Sequence, residues 1–351
     1  MRRGSRRAKV PRAGLRAEAD PGHLVGPAAL ADTEEAMNFL IHYFVDGTAF
    51  FVGAAMLLAG PLLPLRGKRG GAMVIRIAVL LGAAVVAFSG TPLPLWFYGV
   101  WAACLVAWLW TQPKDVPRVV KPSPGAGSNP ADAPRPNAHG QSRRLPRGAF
   151  AAIRLGAAGL AAAAIVWEGL WQIMPAVPLG PSQTLYVIGD SISAGLEPNR
   201  AGAWPEILAR RTGARVVNLA QAGAKVGGAA FQAGGIEEAN AFVLIEIGAN
   251  DLFNTPAAAF EADLDALLRL VAGPERRLVM VELPSLPWGN SYLAAQRRLA
   301  GRYGVAMIPR RILVHVWATP GATLDDVHFS PAGHEQAAKA MAGLMSLHEL
   351  P

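Results

Sequence analysis

The chain has 351 residues, 52% of them hydrophobic and only 17% charged, with a formal net charge of +8. A single soluble globule carries roughly 25% charged residues, so this composition averages a membrane part with an ordinary soluble part, and the length allows about two domains. Residues 1–180 hold 19 Lys+Arg against 9 Asp+Glu, and residues 181–351 hold 14 against 16; the basic excess therefore lies in tails and loops beside apolar runs, which argues against a nucleic-acid-binding surface.

Residues 1–36 read as a disordered basic tail, and residues 37–112 as three transmembrane helices centred on apolar stretches at 39–63, 72–88 and 93–110. A fourth stretch, 149–174 within a helical segment 149–175, makes about four spans in all. A bilayer core needs ~20 predominantly apolar residues per helix, which the first and fourth stretches meet comfortably and the other two only at the lower limit. Trp96, Tyr98, Trp101, Trp108 and Trp110 sit toward the ends of the third stretch, as interfacial aromatics do. The lone cysteine, Cys104, lies in that stretch, so no intrachain disulfide can form and cysteine usage does not fix the compartment. In the first stretch His42 and Asp46 are spaced i, i+4 on one helix face, shallow enough to reach interfacial water or each other.

Loop charges set an orientation. Arg66, Lys68, Arg69 and Arg76 cluster between the first two stretches, and the connection 89–94 carries no charge. The linker 113–148 is rich in Pro, Gly, Ser and Ala and carries further Lys and Arg, so it reads as disordered and cytoplasmic. The fourth helix then runs outward, and everything after Pro175 is extracytoplasmic. This scheme conflicts with the seven Arg and Lys of residues 2–16. Either the first stretch does not span, or the tail is not native and translation begins at Met37.

From residue 181 onward, short apolar runs alternate with helical patterns. Strands are expected at 184–188, 216–219, 242–247, 278–283 and 305–308, and helices at 204–211, 257–271, 291–303 and 331–347. Such alternation predicts an α/β domain with a parallel sheet covered on both faces, whose site lies beyond the carboxyl ends of the strands.

Four polar clusters fall on that edge. The first strand runs into Gly189-Asp190-Ser191, the second into Asn218 with Gly223 following, and the third into Gly248-Ala249-Asn250-Asp251; Asp325-Asp326-Val327-His328 precedes the last helix. Each has a use in acyl transfer. A serine hydroxyl needs a neighbouring base, and neutral histidine suits the task near pH 7. The histidine needs an acceptor on its other nitrogen, which Asp325 can supply within a local turn. The backbone N–H groups of Ser191 and Gly223 and the amide of Asn250 are candidate oxyanion donors. Taken singly, each cluster is as compatible with a turn or a helix cap. Four in order, with complementary roles, are not.

These residues resemble the four signature blocks of the SGNH (GDSL) hydrolase family, over roughly residues 184–347. The resemblance implies Ser191 as nucleophile, Gly223 and Asn250 in the oxyanion hole, and the Asp325/His328 pair. It also implies a flavodoxin-like three-layer α/β/α sandwich for residues 181–351. Ala203-Trp204-Pro205 and Leu283-Pro284 look closest to small bacterial periplasmic thioesterase/lysophospholipase members. Asp326 misses the family spacing, His315 and His334 lack a carboxylate at that spacing, Ser193 reads as a helix N-terminal hydroxyl, and Asp190 as a brace for the loop.

The expectation is a membrane-anchored, extracytoplasmic serine esterase of the cell membrane acting on an acyl ester, a lipid or an acylated glycan, with no cofactor and no metal. The alternatives are a transferase or deacetylase acting on envelope polysaccharide with the same residues, or a membrane protein with an accessory esterase domain. The loop 284–290 with Trp288, and the stretch 314–323, are expected to shape the substrate pocket, without fixing the acyl group.

Overall fold

The computed structural model describes residues 42–63, 69–113, 144–196, 202–252, 254–325 and 327–350. The basic tail, the Met37 start and most of the linker lie outside the described residues.

Four apolar helices come first: α1 (Thr48–Leu62), α2 (Arg69–Phe88), α3 (Leu95–Trp110) and α4 (Arg147–Trp171). Their packed faces share one core containing Phe50, Leu57, Val86, Trp101, Trp108 and Phe150. Among the described residues, only α2, over Gly71–Phe88, and α4 are long and apolar enough to cross a membrane. At 15 and 16 residues, α1 and α3 fall short of the ~17-residue minimum. The expectation of four spans thus reduces to two helices of spanning length and two shorter apolar ones. The first stretch is shortened by Gly47, whose φ of 95° breaks the helix. Residues 42–45 are helical before the break at Gly47, and the Asp46 N–H donates to the His42 carbonyl, so the pair keeps its i, i+4 relation and lines one cavity. Asp46 also accepts from the Thr48 N–H and hydroxyl at 2.6 and 2.9 Å. At the other end of α1, Arg154 of α4 donates to the carbonyls of Pro61, Leu62 and Leu63. That charge satisfies acceptors the helix terminus leaves open.

The second half builds a five-stranded, wholly parallel sheet from β1 (Thr184–Gly189), β2 (Val216–Asn218), β3 (Ala241–Glu246), β4 (Arg277–Val281) and β5 (Ala306–Ile308), in the order β2-β1-β3-β4-β5. Every residue of β1 and β3 is buried, which is why their sequences are near-continuous apolar runs rather than alternating ones. Successive side chains serve opposite layers. Tyr186, Ile188, Val243, Ile245 and Met280 pack with α7 (Ala229–Ala233), α8 (Ala257–Val271) and α9 (Asn290–Tyr303). Leu185, Val187, Phe242, Leu244 and Val279 pack with α6 (Trp204–Thr212), α10 (Arg311–Trp317) and α11 (Pro331–Leu344). The three layers and the parallel sheet match the expected sandwich, with element ends within three residues of those read from sequence. The strand order reverses direction between β1 and β3, and the crevice there is where such sheets bind ligands.

The two halves meet through charge. Arg297 of α9 donates to Glu168 of α4 through Nη1 at 2.7 Å and Nη2 at 3.0 Å, and through Nε to Glu282 at 2.7 Å. All three side chains are at least 95% buried, and the Arg297 guanidinium lies 4.9 Å from the centre of the Trp171 ring. Arg310, fully buried after β5, bonds the Gly90 carbonyl and stands 3.8 Å from Glu168. Gly90 lies so close to Ser285 that a Cβ there would collide with the Ser285 carbonyl. The helix bundle therefore contacts the carboxyl ends of β4 and β5, on the same edge of the sheet that carries the polar clusters.

Candidate active site

Ser191 opens the short helix α5 (Ser191–Ala194) directly after β1. Asp190 caps it, accepting from the Ile192 N–H at 3.1 Å through Oδ1, which is the bracing role expected of it. As the first residue of a helix, Ser191 has an N–H of the kind helices leave without an internal partner. Gln232 of α7 holds the end of β1 from below, accepting from the Gly189 N–H at 2.9 Å and donating to the Gly189 carbonyl at 3.0 Å.

His328 comes from a loop between α10 and α11, closed by a bridge between Thr323 and Phe329. Asp325 organises this loop. Its Oδ1 accepts from the N–H groups of Val327 and His328 at 2.8 and 2.7 Å, and its Oδ2 lies 2.8 Å from His328 Nδ1. These bonds, the His328 backbone N–H first among them, hold the Asp325 carboxyl well below the ordinary carboxylate range. An ionised carboxylate only accepts, so Nδ1 carries the proton and Nε2 presents its lone pair. Nε2 lies 3.1 Å from Ser191 Oγ. Residues 137 positions apart in sequence thus form one hydrogen-bonded chain, Asp325–His328–Ser191.

Gly223 lies in the loop after β2 with φ of 75°, a left-handed conformation that favours glycine. The neighbouring Ala224 carbonyl accepts from Asn250 Nδ2 at 3.0 Å. One of the two amide hydrogens of Asn250 is thereby committed, and the loops after β2 and β3 are tied together. Asp251, 1% exposed, adds a second tie by accepting from the Val226 N–H at 2.9 Å. Gly248 has φ of 123°, and a Cβ there would crowd Phe260 and Leu283.

Other residues fall differently. Ser193 is not a helix-end hydroxyl: fully buried, it donates to Glu246 at 2.8 Å and accepts from the Trp204 indole at 3.1 Å. His334 lies within α11, where burial lowers its pKa, and it packs edge-on against Phe329. Asp326 is outside the described residues. Trp288 is 59% exposed on the turn Pro287–Gly289. The stretch 314–323 divides its contacts: Val314, His315 and Thr319 line a cavity of about 630 Å³ with His42 and Asp46, whereas Trp317 bonds the Val327 carbonyl beside His328. The supporting residues Glu246 and Gln232 did not emerge from sequence, because neither belongs to a spaced motif; Trp204 did, within Ala203-Trp204-Pro205, but without its bond to Ser193.

A parallel α/β/α sandwich with a Ser–His–Asp chain at its carboxyl edge has the arrangement of acyl-transferring hydrolases. Residues 187–336 match the GDSL-like Lipase/Acylhydrolase family, and the C-terminal domain belongs to it as an ester hydrolase. Similar solved structures include TesA (24% identity, 46% of this chain and 98% of that chain, TM-score 0.42). Others are the esterase EstA from Pseudoalteromonas sp. (16%, 47% and 97%, TM-score 0.41) and a member of the lipolytic protein G-D-S-L family from Veillonella parvula (14%, 47% and 99%, TM-score 0.40). No curated protein matches the chain.

Proposed function

We propose that the protein is a membrane-anchored, extracytoplasmic serine esterase that cleaves carboxylic or thioesters through an acyl-enzyme on Ser191. The hydrogen-bonded chain from Asp325 through His328 to Ser191 Oγ, at 2.8 and 3.1 Å, is the observation that carries the chemistry. Ser191 Oγ attacks the ester carbonyl carbon while His328 Nε2 takes its proton. Asp325 holds Nδ1–H and balances the imidazolium charge. The oxyanion is received by the N–H groups of Ser191 and Gly223 and the uncommitted amide hydrogen of Asn250. Collapse expels the alcohol or thiol with the proton from His328. Water, deprotonated by the same nitrogen, then releases the acid.

Anchoring is supported by α2 and α4, which have spanning length, and by a belt of exposed apolar side chains on the bundle. Met73, Val74, Leu95, Leu155, Val166 and Leu170 are each more than 60% exposed. Large apolar side chains exposed in such number suit a lipid-facing surface. Arg66 and Lys68 before α2, with Arg69 at its start, favour a cytoplasmic loop; with the shorter apolar helix α3 crossing as well as α2 and α4, three crossings put the domain after α4 outside. Full-length Ser191→Ala in detergent should lose p-nitrophenyl butyrate hydrolysis by ~10⁴-fold or more; undiminished turnover removes the nucleophile assignment. Protease added to intact spheroplasts should digest the catalytic domain, and full protection refutes the orientation.

A further inference from the structure

His42 and Asp46, which the reaction at Ser191 does not use, open onto a cavity of about 630 Å³ where the two halves meet. Its size falls within the ~300–1,000 Å³ of ligand sites. Two helices of the catalytic domain supply most of its wall. Arg311, Val314 and His315 come from α10, and Gln336, Lys339 and Ala340 from α11. Both sets are spaced i, i+3, i+4, so each is one face of its helix. The helical turn 42–45 closes the space from the bundle side, and its end is seated tightly. A Cβ on Gly47 would stand 2.9 Å from Arg310 Nη2 and 3.5 Å from Gln172 Nε2. Gln172 directly follows α4, and Arg311 donates to its carbonyl at 3.1 Å.

Two features mark this space as a ligand site rather than a crease between packed helices. First, its charges are out of balance. Arg311 and Lys339 are permanent cations, and Asp46 is the one carboxylate among the described residues of the wall. Both oxygens of that carboxylate already accept from Thr48. A concave surface of one sign between low-dielectric walls focuses its field and draws counter-ions. Second, its donors are unused. The side chains of His315, Gln336 and Lys339 have no hydrogen-bond or ion-pair partner among the described residues. Arg311 uses one of its five N–H groups, on Gln172. All four side chains are exposed at the rim, within reach of an occupant, whereas Val314 is buried and Ile312 and Ala340 are half-buried.

Guanidinium and ammonium groups are the side chains that hold phosphate, the first through paired N–H bonds. A bare ion would leave the apolar floor uncovered. We propose that this cavity binds a phosphate ester, with the phosphate on Arg311 and Lys339 at the rim and the organic part over Ile312 and Val314. The rings of His42 and His315 add N–H donors beside the phosphate. A bilayer phospholipid and a water-soluble phosphoester share this chemistry. The site is separate from the reaction at Ser191, and only the lipid source rests on the anchoring proposed above.

The test titrates the full-length Ser191→Ala protein in dodecyl maltoside, which keeps ester lipids intact and takes turnover out of the readout. Isothermal titration calorimetry follows the binding of glycerol phosphate and of monomeric dihexanoylphosphatidylglycerol. At least one should bind saturably. Lys339→Glu, at an exposed position with no partner to lose, should weaken that binding ~10-fold or more, and Arg311→Gln should weaken it as well. Arg302→Glu makes the same charge change as Lys339→Glu on α9, outside the cavity, and should leave the affinity within ~2-fold. Tighter binding of the phospholipid supports a headgroup site, and tighter binding of glycerol phosphate supports a soluble ligand. Saturable binding of neither probe overturns the proposal. So does affinity unmoved by Lys339→Glu, equal loss with Arg302→Glu, or equal binding of dihexanoylglycerol, which lacks the phosphate.

Discussion

The Ser193 hydroxyl donates to Glu246 at 2.8 Å directly beneath the Ser191 turn, in a compartment that also encloses Asp190. Burial raises both carboxyls, Asp190 to about 6 and Glu246 well above its ordinary value, with the Asp190 charge adding to the effect on Glu246. Between the unfolded value of 3.8 for Asp190 and the native value of about 6, the folded chain keeps a proton that the unfolded chain has lost. The stability this proton confers is complete below pH 3.8 and is lost as pH rises through 6. Asp190→Asn removes that dependence. Urea unfolding should show the Asn variant gaining on wild type by up to ~3 kcal/mol between pH 4 and pH 7; parallel pH profiles would contradict it.

Asp325 fixes both the loop and the imidazole, so its replacement acts twice. Asp325→Asn can donate to His328 Nδ1 and so favours the wrong tautomer. Turnover of p-nitrophenyl butyrate should fall by ~10²–10⁴-fold with a much smaller change in KM. Equal effects on kcat and KM would point to a collapsed loop rather than a lost orientation.

Asn250→Ala removes one proposed oxyanion donor and also the bond to the Ala224 carbonyl. The expected loss is ~10²–10³-fold in kcat. Because Asp251 still ties the same loops through Val226, thermal stability should drop only slightly. A large melting shift with little kinetic effect would make Asn250 a structural tie.

Arg297→Ala leaves Glu168 and Glu282 buried without their shared partner. Breaking one side of such an arrangement costs ~3–5 kcal/mol. The detergent-solubilised variant should melt earlier and become sensitive to protease within residues 172–183, the connection between α4 and β1. Wild-type resistance in that connection would show that the contact does not hold the two halves together.

The residues of the candidate site were legible because they lie in short blocks at strand ends, where chemistry and chain position coincide. Asp325 and His328 even share a turn. The supports were not. Glu246 reads as the end of an apolar strand, and Ser193 as a helix start. The junction was the largest omission: Glu168, Glu282, Arg297 and Arg310 are isolated charges on four different segments. One signal was available, since Glu168 is the sole acidic residue of α4, and an ionisable group in so apolar a helix calls for a partner. The number of spans was over-read, not the number of helices: the first apolar stretch is interrupted at Gly47, where the backbone does not remain helical, and the helix that follows has only 15 residues.

The clamp between Arg297 and Glu168 has a kinetic meaning. Were α2 and α4 in a bilayer, as proposed, a catalytic domain held by that contact could not swing on its connection, and Ser191 would keep a constant altitude over the lipid. Esters at that height would meet the enzyme by lateral diffusion, and its rate would follow their mole fraction in the surface rather than their concentration in bulk. Esters on long headgroup spacers would pass out of reach. The protein would behave as a gauge that accepts bonds at one depth, a selectivity set by the four buried charges of the junction.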